Sequence, residues 1–137
     1  MKALIVEDDY TSRVILLRLL LPYGKTQVAV NGTEAVAAFA AAQGAGEPFD
    51  LVCLDIMLPE MDGQAVLREI RALESSCTGE KRTPARVMMT SALSDRANVV
   101  EAIRNCDGYL VKPIDRTKFV ACLNGFGFEA PAGRSPA

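Results

Sequence analysis

Short apolar segments alternate with longer amphipathic ones along the chain, and five such pairs can be counted. Continuous apolar runs of four to six residues are typical of strands covered on both faces. Apolar residues recurring every three or four positions indicate helices. Strands that alternate with helices of this length favour a parallel sheet with helices on both sides. The pattern therefore predicts an α/β protein, doubly wound from five βα units.

The predicted elements follow from this alternation. The strands are expected at Lys2–Val6, Gln27–Val30, Leu51–Leu54, Arg86–Met89 and Gly108–Val111. The helices are expected at Tyr10–Leu21, Thr33–Gln43, Gly63–Glu74, Asp95–Asn105 and Arg116–Asn124. The polar segment Ser75–Pro84 is predicted to be a surface loop. Residues 1–124 are expected to form one domain, and the Gly- and Pro-containing residues 125–137 a flexible C-terminal tail.

Composition excludes several functional classes. Fifteen Lys and Arg against 17 Asp and Glu give a net charge of −2, so the chain offers no basic surface for nucleic acid or an anionic membrane. It contains no His, which excludes His-ligated metals and His-based hydrolase sites. The four cysteines form no C-x-x-C pair, and Cys53 and Cys122 are expected to be buried, reduced thiols. We see neither a signal peptide nor a membrane span, and expect a cytoplasmic protein.

Polar side chains follow four of the predicted strands, at the end where each strand stops. They are Glu7, Asp8 and Asp9, then Asp55, then Thr90 and Ser91, and finally Lys112, which Pro113 follows. Carboxylates that converge at the carboxyl edge of a parallel sheet repel one another unless a cation lies between them, and Mg²⁺ suits oxygen ligands. A metal ion and a lysine beside a carboxylate favour transfer of a phosphoryl group to that carboxylate.

Four motifs in order carry a resemblance to a known family. They are V-E-D-D at 6–9, L-D-I-M-L-P-E-M-D-G at 54–63, M-T-S-A at 89–92 and Y-L-V-K-P at 109–113. Together they resemble the CheY-like receiver domain of two-component response regulators, over about residues 2–124. The resemblance implies the flavodoxin-like strand order 2-1-3-4-5, with residues 1–124 as a stand-alone receiver domain.

The resemblance also implies the residues of a magnesium site. Asp55 matches the phosphoacceptor, whose carboxylate also binds Mg²⁺. Asp8 matches the acid that binds the metal directly, and Glu7 the acid that binds it through water. The backbone carbonyl of Met57 matches the remaining protein ligand.

Further positions match the phosphoryl-binding and switch residues of the family. Thr90 and Lys112 match the residues that assist catalysis by holding phosphoryl oxygens. Tyr109 matches an aromatic ring that moves inward on phosphorylation, although a plain packing role is the alternative. Pro113 matches a proline that follows a cis peptide bond. Ser91 departs from the Ala or Gly common at its position, and its hydroxyl is expected to slow phosphoryl access or water attack.

The implied function is a signalling switch rather than an enzyme. A histidine kinase or phosphotransfer protein would phosphorylate Asp55, and the chain would assist only this transfer and its own dephosphorylation. The signal would pass in trans to an unidentified protein target, through the face formed by Asp95–Asn105, Gly108–Val111 and Arg116–Asn124. We expect a monomer or a phosphorylation-dependent dimer.

Three other functions fit the residues less well. A phosphatase of the haloacid dehalogenase type needs a second Asp two residues after the first, where this chain has Met57. A flavodoxin-like cofactor carrier needs a phosphate-binding loop after the first strand, where the acids at 7–9 would repel phosphate. A degenerate receiver that only docks is disfavoured because every site position is present. Asp9 and Asp62 are interpreted as helix N-caps without a chemical role.

Overall fold

The computed structural model describes residues 1–76, 83–92 and 104–130, and within these ranges five strands and four helices have both of their ends defined. The strands are β1 (Lys2–Val6), β2 (Lys25–Ala29), β3 (Leu51–Asp55), β4 (Arg86–Ser91) and β5 (Gly108–Val111). The helices are α1 (Tyr10–Leu20), α2 (Gly32–Gly44), α3 (Gly63–Ser75) and α4 (Arg116–Gly125), and a short 3-10 helix spans Leu21–Tyr23. No helix within these described ranges is long and apolar enough to cross a bilayer.

All strand pairs in the sheet are parallel, and the strand order is β2-β1-β3-β4-β5. This confirms the predicted α/β fold and its strand order. The central strand β3 is buried at every position, because strands flank it on both sides and helices cover its faces. The carboxyl ends of β1, β3, β4 and β5 meet at one edge of the sheet, where the polar residues predicted from the sequence are found.

Helices cover both faces of the sheet. On one face, α1 and α4 pack their apolar side chains against β1, β3 and β4, and the residues they contribute are Leu16, Leu20, Phe119 and Leu123. On the other face, α2 and α3 contribute a second cluster, which includes Phe39, Val66, Leu67 and Ile70. Burying these residues removes roughly 1.5–3 kcal/mol of unfavourable hydration per large side chain. The sheet edge that carries the polar residues is therefore supported by two apolar cores.

Some element boundaries differ from the predictions. Strand β2 begins at Lys25 rather than Gln27 because Lys25 pairs with Lys2 of β1. Strand β4 runs on through the polar pair Thr90 and Ser91, which pair with β5. The predicted helix Asp95–Asn105 lies outside the described residues except at its last two positions, which are helical.

An Asp or Asn side chain caps the N-terminus of every described α-helix. Each accepts a hydrogen bond from a backbone N–H in the first turn, and the capping residues are Asp9, Asn31, Asp62 and Asp115. The interpretation of Asp9 and Asp62 as caps is thereby confirmed. The Asp9 carboxylate is used as the cap of α1. The other two acids of the loop after β1, Glu7 and Asp8, can therefore place their carboxyl groups at the sheet edge.

Candidate functional site

Three carboxyl groups converge at the carboxyl edge of the sheet. Glu7 and Asp8 follow β1, Asp55 ends β3, and one oxygen from each lies within 4.8 Å of the others. Glu7 and Asp55 are buried and Asp8 is exposed, so the cluster opens to solvent on one side. Buried like charges at this separation are stable only with a cation or a proton between them. A set of three carboxylate oxygens fits Mg²⁺, which keeps several of its own waters.

Lys112, just after β5, reaches two of these carboxylates. Its Nζ donates hydrogen bonds to Asp55 Oδ2 at 3.0 Å and to Glu7 Oε1 at 3.1 Å. The same nitrogen lies 2.9 Å from Glu7 Oε2, as an ion pair without hydrogen-bond geometry. The sheet therefore places one ammonium group between two buried carboxylates from distant parts of the chain.

Burial and charge shift the protonation equilibria of this pair. Burial raises the pKa of Glu7 to about 7, the charge of Asp55 acts in the same direction, and Lys112 opposes both. Burial by itself lowers the pKa of Lys112, but hydrogen bonds and charge from Glu7 and Asp55 outweigh it, so this pKa is raised overall. Lys112 therefore stays protonated at neutral pH, while Glu7 titrates near neutrality when no cation is bound.

The carboxylate of Asp55 is held at both oxygens. The backbone N–H of Met57 donates to Oδ1 at 3.1 Å, and Lys112 donates to Oδ2. Because the two donors come from different segments, the carboxylate plane is fixed relative to the sheet edge. The structure thus brings Met57 next to Asp55, and its role as a carbonyl ligand stays a prediction.

Thr90 lies beside Asp55 on the neighbouring strand. The two residues are register partners in β3 and β4, and the N–H of Ile56 donates to the Thr90 carbonyl at 2.9 Å. The Thr90 hydroxyl is buried and lacks a hydrogen-bond partner within the described part of the chain. Buried hydroxyls rarely go unpaired, so a group left in this state next to a carboxylate is suited to bind an incoming ligand.

Tyr109 and Ser91 lie on the other side of the β4 terminus, where their hydroxyl groups form a hydrogen bond. This contact directs the Ser91 hydroxyl toward Tyr109. It does not test the expectation that the hydroxyl slows phosphoryl access or water attack. The Lys112–Pro113 peptide bond is cis, as the resemblance implies.

Gly63 is needed at the site although the sequence indicated only a helix start there. A Cβ at this position would lie 2.5 Å from the Asp55 carbonyl oxygen and 2.8 Å from the Ile56 Cα. The Gly63 N–H also donates to the Ile56 carbonyl at 2.8 Å. The first turn of α3 can therefore approach the Asp55 backbone only because residue 63 has no side chain. The Asp-Gly pair at 62–63 was the available signal.

Arg13 of α1 is a second residue that the sequence did not single out. Its Nη1 is 3.3 Å from the Glu7 carbonyl oxygen and 3.4 Å from that of Asp8, and it donates to both. The guanidinium group also lies 5.7 Å from the centre of the Tyr10 ring. Arg13 thus ties the acidic loop to α1. An arginine one helical turn after a cap has many possible roles, so its spacing alone gave no usable signal.

Comparison with known proteins gives consistent matches. The family model described as response regulator receiver domain matches residues 3–124. The chain is 30% identical over 126 residues to chemotaxis protein CheY of Bacillus subtilis, covering 90% of this chain and 94% of that protein. The CheX-CheY-BeF3-Mg complex of Borrelia burgdorferi contains a chain with a TM-score of 0.74 at 28% identity, with 94% of this chain and 90% of that one covered.

Other relatives are much longer proteins or more distant structures. The chain spans 4% of hybrid signal transduction histidine kinase G of Dictyostelium discoideum, at 31% identity over 93% of this chain. The receiver domain of sensor histidine kinase PA1611 from Pseudomonas aeruginosa has a TM-score of 0.71 at 20% identity, with 92% of this chain and 97% of that one covered. That structure has a magnesium ion coordinated in its active-site cleft. Its similarity to this chain shows the shared fold.

Proposed function

Because this chain belongs to the response regulator receiver domain family, we propose that it is a phosphorylation-activated switch of a two-component system, with Asp55 as the phosphoacceptor. The observation that carries the proposal is the position of the Asp55 carboxylate. It lies 3.0 Å from the Lys112 ammonium group and within 4.8 Å of oxygens from Glu7 and Asp8. This combination of a nucleophilic oxygen, a fixed cation and a cluster of metal-binding oxygens suits phosphoryl transfer.

The acidic cluster is proposed to hold Mg²⁺. Asp8 and Asp55 would bind the ion directly, Glu7 through water, and Met57 through its backbone carbonyl. The bound ion would neutralise charge on the phosphoryl oxygens. The magnesium ion in the related PA1611 domain supports this assignment, as does the donor set of this chain.

The remaining site residues would handle the phosphoryl group itself. An oxygen of Asp55 forms a bond to phosphorus while the bond from phosphorus to the donor atom breaks, which leaves an acyl phosphate. Lys112, already beside Oδ2, would pair with one phosphoryl oxygen. The Thr90 hydroxyl, which has no hydrogen-bond partner among the described residues, would donate to another, and Tyr109 would respond as the switch residue. The chain assists this transfer and the later hydrolysis but turns over no separate substrate.

The partners are proposed to be proteins. A histidine kinase or phosphotransfer protein in the cytoplasm would donate the phosphoryl group, and an unidentified target would read the phosphorylated form without contact to nucleic acid or membrane by this domain. The surface formed by residues 95–105, β5 and α4 is the proposed readout, with the chain as a monomer or a phosphorylation-dependent dimer. The complex with CheX formed by the related chain from Borrelia burgdorferi supports a protein partner.

The test is incubation with acetyl phosphate and Mg²⁺, followed by intact mass measurement. We expect one added phosphoryl group in the unmodified chain, and none with EDTA or in the Asp55→Asn variant. Asp62→Asn is the matched control because Asn caps a helix as well as Asp does, so this variant should still take up the group. An adduct that persists in Asp55→Asn, or one that forms equally with EDTA, would contradict the proposal.

A further inference from the structure

The hydroxyl groups of Ser91 and Tyr109 form a hydrogen bond at the end of β4. Ser91 is fully buried, and Tyr109 is partly buried and packs against the apolar cluster beneath α2 and α3. The sheet explains how they meet. Ser91 pairs with Val111, and Met89 pairs with Tyr109, so Ser91 and Tyr109 are diagonal neighbours on one face of adjacent parallel strands. An aromatic side chain can span such a diagonal.

Thr90 faces the opposite side of the same strand. Successive side chains in a strand alternate between faces, so Thr90 shares the face of its register partner Asp55, and Ser91 the face of Tyr109. Adjacent residues of one strand end thus contact the two sides of the sheet. Thr90 carries a hydroxyl beside the acidic cluster that has no partner within the described residues, and Ser91 carries the hydroxyl that is hydrogen-bonded to the Tyr109 hydroxyl.

Backbone hydrogen bonds hold this strand end on both sides. The Thr90 carbonyl accepts from the N–H of Ile56, next to Asp55, at 2.9 Å. The Ser91 carbonyl accepts from the N–H of Lys112 at 2.7 Å. Ser91 is therefore bonded through its backbone to the residue that contacts Asp55 and through its side chain to Tyr109. The Ser91 hydroxyl is the hydrogen-bond partner of the Tyr109 hydroxyl. A shift of Lys112 or Thr90 that moves Ser91 therefore also displaces this hydrogen bond.

We propose that Ser91 is a positioning residue, whose hydroxyl holds the Tyr109 ring in one rotamer and ties it to the strand end that carries Thr90. A Ser at this position supplies the hydroxyl with the least added volume, which the full burial of the site requires. Its functional consequence rests on the proposed function. The bond to Tyr109 restrains the strand end, so its removal should ease the adjustment of Thr90 and Lys112 around a phosphoryl group.

The first test measures the χ1 angle of Tyr109 by three-bond NMR couplings in the unphosphorylated protein. We expect one dominant rotamer in the unmodified chain and a mixture in Ser91→Ala. Tyr109→Phe keeps the ring but loses the hydroxyl, and the ring at position 109 should then show the same mixture. Ser76→Ala is the matched control, since Ser76 uses its hydroxyl at the C-terminus of α3, and it should keep one rotamer. A single unchanged rotamer in Ser91→Ala would overturn the inference.

The second test is a double-mutant cycle on the initial rate of adduct formation with acetyl phosphate and Mg²⁺. Ser91→Ala and Tyr109→Phe should each raise the rate by at least about twofold, and the double variant should match the single ones because one bond is lost in all three. Additive effects would overturn the inference. An unmodified chain that forms no adduct would contradict the proposed function, and the rotamer measurement, which needs no phosphoryl group, would still decide whether Ser91 positions Tyr109.

Discussion

Glu7 shows how burial changes the acid strength of a carboxyl group beside a lysine. Burial is the largest influence and raises its pKa from the ordinary 4.5 to about 7. The folded protein therefore holds this proton more tightly than the unfolded chain does, and protonation of Glu7 favours folding. The stabilisation is fully present below pH 4.5 and is lost as the pH rises through about 7. A bound divalent cation would take the place of the proton on Glu7 and would likewise favour folding.

We predict that Glu7→Gln removes this pH dependence. In EDTA, the free energy of unfolding of the unmodified chain, relative to the variant, should fall between pH 4.5 and about 7. The fall should approach about 3 kcal/mol, since each unit of pKa shift corresponds to about 1.4 kcal/mol. Urea unfolding at several pH values measures the difference. Parallel stability curves for the two proteins would mean that Glu7 has an ordinary pKa.

The residues at the site differ in how far the sequence reveals them. The strands predicted from the sequence stop just before Asp55, Thr90 and Lys112, so the predicted strand ends and the family motifs indicate both their place and their proposed roles. The contact of Arg13 with the acidic loop and the bond from Ser91 to Tyr109 depend on side-chain directions across separate elements. No spacing in the sequence encodes those directions, so the structure was needed to find them.

At the scale of elements, the start of α3 and the end of β3 fit together only without a side chain at residue 63. We predict that Gly63→Ala destabilises the protein by about 1–3 kcal/mol, because its Cβ would overlap backbone atoms of Asp55 and Ile56. The displaced Asp55 backbone should also slow adduct formation with acetyl phosphate. Urea unfolding and intact mass measure the two effects.

Gly44, the last residue of α2, is the matched control for this prediction. Among the described residues, a Cβ there meets no atom within 4 Å apart from its chain neighbours and the backbone of its own helix. Gly44→Ala should therefore leave adduct formation unchanged and should be neutral or stabilise the fold by up to about 1 kcal/mol, because Ala favours helix. Equal losses of stability in Gly44→Ala and Gly63→Ala would contradict the role given to Gly63.

Element bounds were predictable where apolar runs mark strands, as in β1, which is almost wholly buried, and β5, which is partly buried and ends at the exposed Val111. They were less predictable for β2, whose residues alternate between exposed and partly buried positions at the sheet edge. Its start is determined by pairing with β1, and Lys25, Thr26 and Gln27 provide no apolar run that would mark this limit. Thr90 and Ser91 extend β4 for a similar reason, since pairing with β5 outweighs their polar character.

At the scale of the whole molecule, the parallel sheet gathers the acidic cluster of Glu7, Asp8 and Asp55, the proposed Mg²⁺ site, from the ends of β1 and β3. An ion that binds only the folded cluster stabilises the fold. At an ion concentration of 100 times the Kd, the free energy of unfolding rises by about 2.7 kcal/mol. We predict that Mg²⁺ raises the midpoint of thermal unfolding, and that Asp8→Asn reduces this rise. Scanning calorimetry with and without Mg²⁺ measures both. Asp62→Asn should respond to Mg²⁺ like the unmodified chain, and an equal response of Asp8→Asn would argue against Asp8 as a ligand.

The central claim is that Asp55 receives a phosphoryl group at this edge of the sheet. Borohydride reduces an acyl phosphate to an alcohol, so an aspartyl phosphate becomes homoserine, and peptide mass mapping then locates it. After treatment with acetyl phosphate and Mg²⁺, we expect homoserine at position 55 and unmodified carboxyl groups at Glu7 and Asp8. Homoserine at another aspartate, with residue 55 unchanged, would contradict the account.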